Sequence, residues 1–198
     1  MNLYVTNYQK AFLYLDLDGQ TYNVGATLDE NMAREMSVIM RTVQWNKLDG
    51  EPEGVPVGRF IFRDTYDPYK SATLYSGMRL VSDGKVAQLT SGQWDTVCQL
   101  MINSRAMNDR MKVELQGKTY RLNFSGDPHF FTLSGPGREG ENAPVGGYYT
   151  VFGADICVCY GWDGEVFILR MEDGGLRLLP GYNGLDAFDI PDDTVFTP

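Results

Sequence analysis

The chain has 198 residues, 43% hydrophobic and 22% charged, which is enough to bury roughly 70% of its unfolded surface without help from a metal or a disulfide. Its 26 acidic against 17 basic residues give a net charge of −9, and no Lys/Arg run exceeds two, so long-range steering opposes a nucleic-acid duplex or an anionic membrane as partner. No apolar stretch approaches the roughly 20 residues of a membrane span, and the start Met1-Asn2-Leu3-Tyr4-Val5-Thr6-Asn7 lacks the basic and apolar segments of a secretory signal, so a cytoplasmic protein is expected.

The first element is a hairpin. Phe12 to Leu17 alternates, Asp18-Gly19 supplies the positive φ angles of a two-residue turn, and Thr21 to Val24 returns. Thr27 and Glu30 stand at capping-box spacing, and Leu28, Met32, Met36, Ile39, Met40 and Val43 share one helical face, which predicts a helix over 28–43. The methionines of this face, like Met107 further on, read as core filling. Asn46 to Gly58 has turn residues and no periodicity, and so reads as a surface connection. Arg59 to Arg63 and Ala72 to Tyr75 read as strands around a turn at Tyr66-Asp67-Pro68-Tyr69, and Ser82-Asp83-Gly84 joins two more. Thr90 and Gln93 form a second capping box before a helix, with Trp94, Val97, Cys98 and Met101 on its buried side, ending near Arg105.

The segment Met111 to Leu122 repeats the pattern of the first hairpin 98 positions later, with Gln116-Gly117 at the turn. The same offset aligns Gly77-Met78-Arg79-Leu80-Val81 with Gly175-Leu176-Arg177-Leu178-Leu179, and Asp95-Thr96-Val97 with Asp193-Thr194-Val195. These agreements predict two related halves, 1–107 and 108–198, packed as one unit. In the second half Phe130 to Leu133 replaces the methionine-rich helix, a Gly/Pro-rich loop runs from Ser134 to Gly147, and Tyr148 to Phe152, Asp155 to Tyr160 and Glu165 to Met171 read as strands. A helical stub closes the chain before Pro198. The expected fold class is α+β and β-rich: mostly antiparallel sheets with two helices.

Chemistry-bearing residues are sparse. Cys98, Cys157 and Cys159 are an odd set without an extracellular spacing, and the last two share one face of a strand, so they read as small buried hydrophobes in a reducing compartment. His129 is the only histidine, and any imidazole catalysis, with a cysteine or carboxylate as partner, must use it. Neither a zinc cluster nor a calcium loop is present in the spacing of ligands, and no cofactor is expected. The octapeptide Tyr14 to Thr21 resembles the nucleophile motif of the haloacid-dehalogenase phosphatases, but that fold needs parallel strands joined by helices, whereas Tyr22 begins an immediate return strand. The paired acids Asp16/Asp18, Glu139/Glu141 and Asp192/Asp193 read as solvated faces.

Aromatic residues outnumber what the strands alone require, and Tyr and Trp supply large contact areas at little entropic cost. The candidate binding residues are Phe130, Tyr148, Tyr149, Trp162, Tyr66 and Tyr69, with Arg138 of the Gly-rich loop. The leading reading is a non-catalytic recognition protein that holds a protein partner or small molecule through aromatic-rich loops. The alternatives are sequestration of a small nucleotide-like ligand with Arg79, Arg138 or Arg177 supplying charge, and a small hydrolase or transferase built on His129.

Overall fold

The computed structural model describes residues 10–63, 70–103, 105–137, 144–185 and 187–198. It is an α+β, β-rich protein of two antiparallel sheets and two helices, and it divides into two compact units, Met1–Met101 and Ile102–Pro198. The turn at 66–69 and the loop residues Arg138 to Asn142, expected from the sequence, lie outside the described residues. No helix among the described residues is long and apolar enough to cross a membrane.

In the first unit, strands β1 (Lys10–Leu17), β2 (Gln20–Leu28), β3 (Asn46–Lys47), β4 (Pro56–Arg63), β5 (Lys70–Tyr75), β6 (Arg79–Ser82) and β7 (Lys85–Gln88) form one sheet in the order β2-β1-β4-β5-β6-β7-β3. Period-2 alternation sends Ala11, Leu13, Leu15 and Leu17 of β1, Phe60 and Phe62 of β4, and Ala72 and Leu74 of β5 into the core. Helix α1 (Glu30–Thr42) packs against β1 and β2 through Ala33, Met36 and Met40, which are fully buried. The helix starts two residues later than its apolar periodicity predicts. Asp29, not Thr27, caps it, accepting from the Met32 N–H at 2.9 Å, because Thr27 still belongs to β2. Helix α2 (Ser91–Met101) has the predicted capping box: the Thr90 N–H donates to Gln93 Oε1 at 2.9 Å, and the Gln93 N–H donates to Thr90 Oγ1 at 3.3 Å. It ends at Met101, before Arg105.

The second unit is a meander. Strands β8 (Arg110–Leu115), β9 (Lys118–Gly126), β10 (His129–Ser134), β11 (Val145–Phe152), β12 (Ile156–Gly161), β13 (Val166–Glu172), β14 (Gly175–Asn183) and β15 (Val195–Phe196) each pair with the next. Just past β15, Thr197 exchanges two backbone hydrogen bonds with Lys112, of 2.7 and 2.9 Å, and so curls the sheet back on itself into a near-closed barrel. Tyr120, Leu122, Phe131, Leu133, Tyr149, Cys157, Cys159, Phe167 and Leu169 fill its interior. Strands β11 and β12 are buried along their whole lengths, which is why their sequences run apolar without alternation.

The two units share hairpin chemistry and differ in topology. The turns Asp18-Gly19 (φ 51° and 75°) and Gln116-Gly117 (φ 51° and 77°) adopt the same left-handed pair that a two-residue hairpin requires. However, the strand that carries each hairpin into its sheet is the first, β1, in one unit and the second, β9, in the other. Asp95-Thr96-Val97 is helical, whereas Asp193-Thr194-Val195 turns into β15, so the expected terminal helical stub is a short closing strand. The strand orders therefore do not support the internal repeat.

Candidate functional site

Strands β8 to β10 expose a face whose composition differs from the rest of this acidic chain. Because Met111, Tyr120, Leu122, Phe124, Phe131 and Leu133 point into the barrel, their alternate neighbours point out: Arg110 and Lys112 from β8, Arg121, Asn123 and Ser125 from β9, and Phe130 and Thr132 from β10. These side chains line an open cleft of about 1000 Å³ that Pro198 borders, and the next outward residue of β8, the exposed Glu114, stands beyond Lys112 outside that lining. The volume lies at the upper end of what small-molecule sites occupy.

The register fixes how these residues face one another. Lys112 lies opposite Arg121, and Arg110 opposite Asn123. Since the backbone N–H and C=O of Lys112 both bond to Thr197, the Lys112/Arg121 pair is of the non-hydrogen-bonded kind, in which side chains stand closest, with Cα atoms about 4.5 Å apart. None of Arg110, Lys112 and Arg121 forms an ion pair among the described residues. By contrast Arg79 is held by Glu53 at 2.6 Å, and Arg177 by Glu172 at 2.8 Å, whose carboxyl that guanidinium keeps below the usual carboxylate range. The charges expected at Arg79 and Arg177 are thus already partnered within the chain.

From Arg110 a straight row crosses the sheet: Arg110 faces Asn123, Asn123 faces Thr132, and Thr132 faces Gly146 of β11. Over Gly146 lies the ring of Trp162, from the β12–β13 turn, whose backbone N–H donates to the Gly146 carbonyl at 3.1 Å. Gly146 leaves room for the ring, because a Cβ there would come within 2.8 Å of Trp162 Cζ3. Trp162 is 47% exposed, one of only two large apolar side chains so exposed among the described residues. Phe130 meets its ring edge-on, with centroids 6.0 Å apart, and meets Tyr148 at 5.0 Å.

The structure separates the aromatic residues that the sequence grouped. Phe130, Tyr148 and Trp162 come together on the outward face, although Tyr148 itself is buried. Tyr149, the next residue along β11, faces the interior. Its hydroxyl accepts from the Met107 N–H at 2.7 Å and lies 3.2 Å from the carbonyls of Met107 and Ser125, so it ties the segment before β8 to β9. Tyr66, Tyr69 and Arg138 lie outside the described residues.

His129 stacks on the Tyr149 ring, with centroids 5.2 Å apart and planes 8° from parallel, and its Nδ1 is buried without a hydrogen-bond partner among the described residues. Burial holds its pKa below the ordinary histidine value, against a weaker pull upward from Asp127. Cys157 and Cys159 are in the barrel interior, where burial pushes the Cys159 thiol well up, away from the thiolate that nucleophilic catalysis needs. Asp16 is bound to Arg59 through two hydrogen bonds of 2.6 and 3.1 Å and accepts from the Thr21 hydroxyl at 2.6 Å. Among the described residues no group of three or more His, Cys, Asp or Glu is placed to hold a metal ion.

Sequence reasoning passed over Arg110, Lys112, Arg121, Asn123 and Thr132. The signal was present in the hairpin: a two-residue turn at Gln116-Gly117 forces Lys112 opposite Arg121 and Arg110 opposite Asn123. No protein-family model, curated protein or solved structure matches this chain.

Proposed function

We propose that this chain is a non-catalytic recognition protein and that it binds an anionic partner on the outward face of β8, β9 and β10. The observation that carries the reading is the group Arg110, Lys112 and Arg121, three cations without a carboxylate partner among the described residues, in an open cleft of a chain whose net charge is −9. With acidic residues in excess, neutralising these cations internally would have been easy, and a like-charged pair directly across two strands is destabilising in the free protein. An anion that docks there removes the repulsion and gains charge-assisted hydrogen bonds. The aromatic cluster of Phe130 and Trp162 adds an apolar flank, in line with recognition rather than chemistry.

Amide chemical-shift mapping with pyrophosphate tests this reading. The expected result is a set of perturbations confined to residues 110–112 and 121–132, absent in a Lys112→Glu/Arg121→Glu variant that keeps the native spectrum elsewhere. Perturbations spread evenly over the surface, or none at millimolar pyrophosphate, would refute it.

A further inference from the structure

Resting on the anion-binding face just described, we infer that its ligand is a free nucleoside diphosphate, lying across the strands with its phosphates at Lys112 and Arg121 and its base against Trp162. The order of chemistry along the cross-strand row carries the inference. Arg110 stands at one end of the row, with Lys112 and Arg121 one like-facing position along β8 and β9; an amide and a hydroxyl, Asn123 and Thr132, stand in the middle; an exposed indole lying on Gly146 stands at the other end. Three strand spacings separate β8 from β11, about 14 Å in all. A nucleotide presents the same three chemistries in the same order over a comparable length: charged phosphates, a hydroxylated sugar and a planar aromatic base.

The compactness of the cationic end selects a diphosphate over an extended polyanion. Lys112 and Arg121 are direct neighbours across the pair, and Arg110 is two residues along the same strand, about 7 Å away. A polyanionic chain would be tracked by cations spread in a line across the sheet, whereas here the three stand on the adjacent strands β8 and β9 and the row continues with Asn123, Thr132 and Gly146. The aromatic end is built for stacking. Gly146 lies under the Trp162 ring and Phe130 stands perpendicular to it, while Trp162 stays 47% exposed to a planar partner; such a base–aromatic contact is sequence-tolerant and worth about tenfold or more in affinity.

The test is a titration of the full chain with ADP, pyrophosphate, adenosine and a ten-residue single-stranded oligonucleotide, followed by calorimetry and by tryptophan fluorescence. ADP is expected to bind at least about tenfold more tightly than pyrophosphate or adenosine, and to quench emission in the native chain but not in a Trp162→Phe variant, which isolates the signal from Trp45 and Trp94. Lys112→Ala/Arg121→Ala should cost ADP at least about tenfold in affinity while leaving the fold intact, since both side chains are exposed. ADP binding no better than pyrophosphate, or without quenching through Trp162, overturns the nucleotide and leaves the anion face standing. Absence of pyrophosphate binding overturns both. Tighter binding of the oligonucleotide than of ADP overturns the free nucleotide as ligand.

Discussion

Lys112 and Arg121 face each other across the β8–β9 pair at its closest kind of position, and neither is neutralised by a carboxylate among the described residues. Cross-strand pairs of opposite charge contribute roughly 0.2–1 kcal/mol, and like charges directly opposite cost stability instead. Arg121→Glu therefore converts a repulsive pair into an attractive one, and is expected to raise the urea midpoint by an amount equivalent to about 0.5–1 kcal/mol while abolishing the pyrophosphate shifts. A variant that loses both stability and binding would show that Arg121 is held by packing rather than kept for a ligand.

Tyr149 is fully buried, and its hydroxyl holds the segment before β8 in place. Its buried hydroxyl is the partner of the Met107 N–H, so Tyr149→Phe leaves a buried donor unsatisfied and is expected to cost about 1–3 kcal/mol. Anion binding should be unchanged. The check is urea denaturation alongside pyrophosphate titration; a variant of native stability would mean that water replaces the hydroxyl.

The paired glycines of β11 should respond to alanine to very different extents. At Gly147 a Cβ would run into the backbone carbonyl of Tyr160, which cannot move without breaking the β11–β12 ladder, so Gly147→Ala is expected to destabilise by more than about 2 kcal/mol. At Gly146 the Cβ meets only the Trp162 ring, which can swing outward. Gly146→Ala should fold, cost less than about 1 kcal/mol, and show red-shifted tryptophan emission. Equal losses at the two positions, measured by denaturation, would contradict this placement of the indole.

Where local grammar decides structure, the sequence was informative. The Asp18-Gly19 and Gln116-Gly117 hairpins, the Thr90/Gln93 capping box and the α+β class all follow from residue types at fixed spacing. What local grammar leaves open is which strand of a hairpin joins the larger sheet, and here the two units diverge, through β1 in one and β9 in the other. The same reason hid the site. Arg110, Asn123 and Thr132 are ordinary in sequence, and they form a row only because three successive registers align them with Gly146. Tyr149 was grouped with Tyr148 because adjacent aromatics look alike in a chain, yet a strand sends neighbours to opposite faces.

His129 is the single histidine, the one side chain of this protein whose ordinary pKa falls between pH 7 and pH 5. Burial against the Tyr149 ring lowers its pKa in the folded state, while the unfolded chain titrates near 6.5. Between those two values the unfolded state binds more protons than the folded one, so stability rises with pH across that interval and falls as the solution is acidified from 7 towards 5. The carboxylates with lowered pKa, Asp16 beside Arg59 and Glu172 beside Arg177, work in another window: their contributions are present above about pH 4 and are lost as pH falls through their folded values. His129→Asn should therefore flatten the dependence of the urea midpoint on pH between 7 and 5 and leave the loss at lower pH in place. An unchanged slope in that variant would mean that His129 is as solvated in the folded protein as in the unfolded chain, and that its stacking on Tyr149 does not exclude water from the ring.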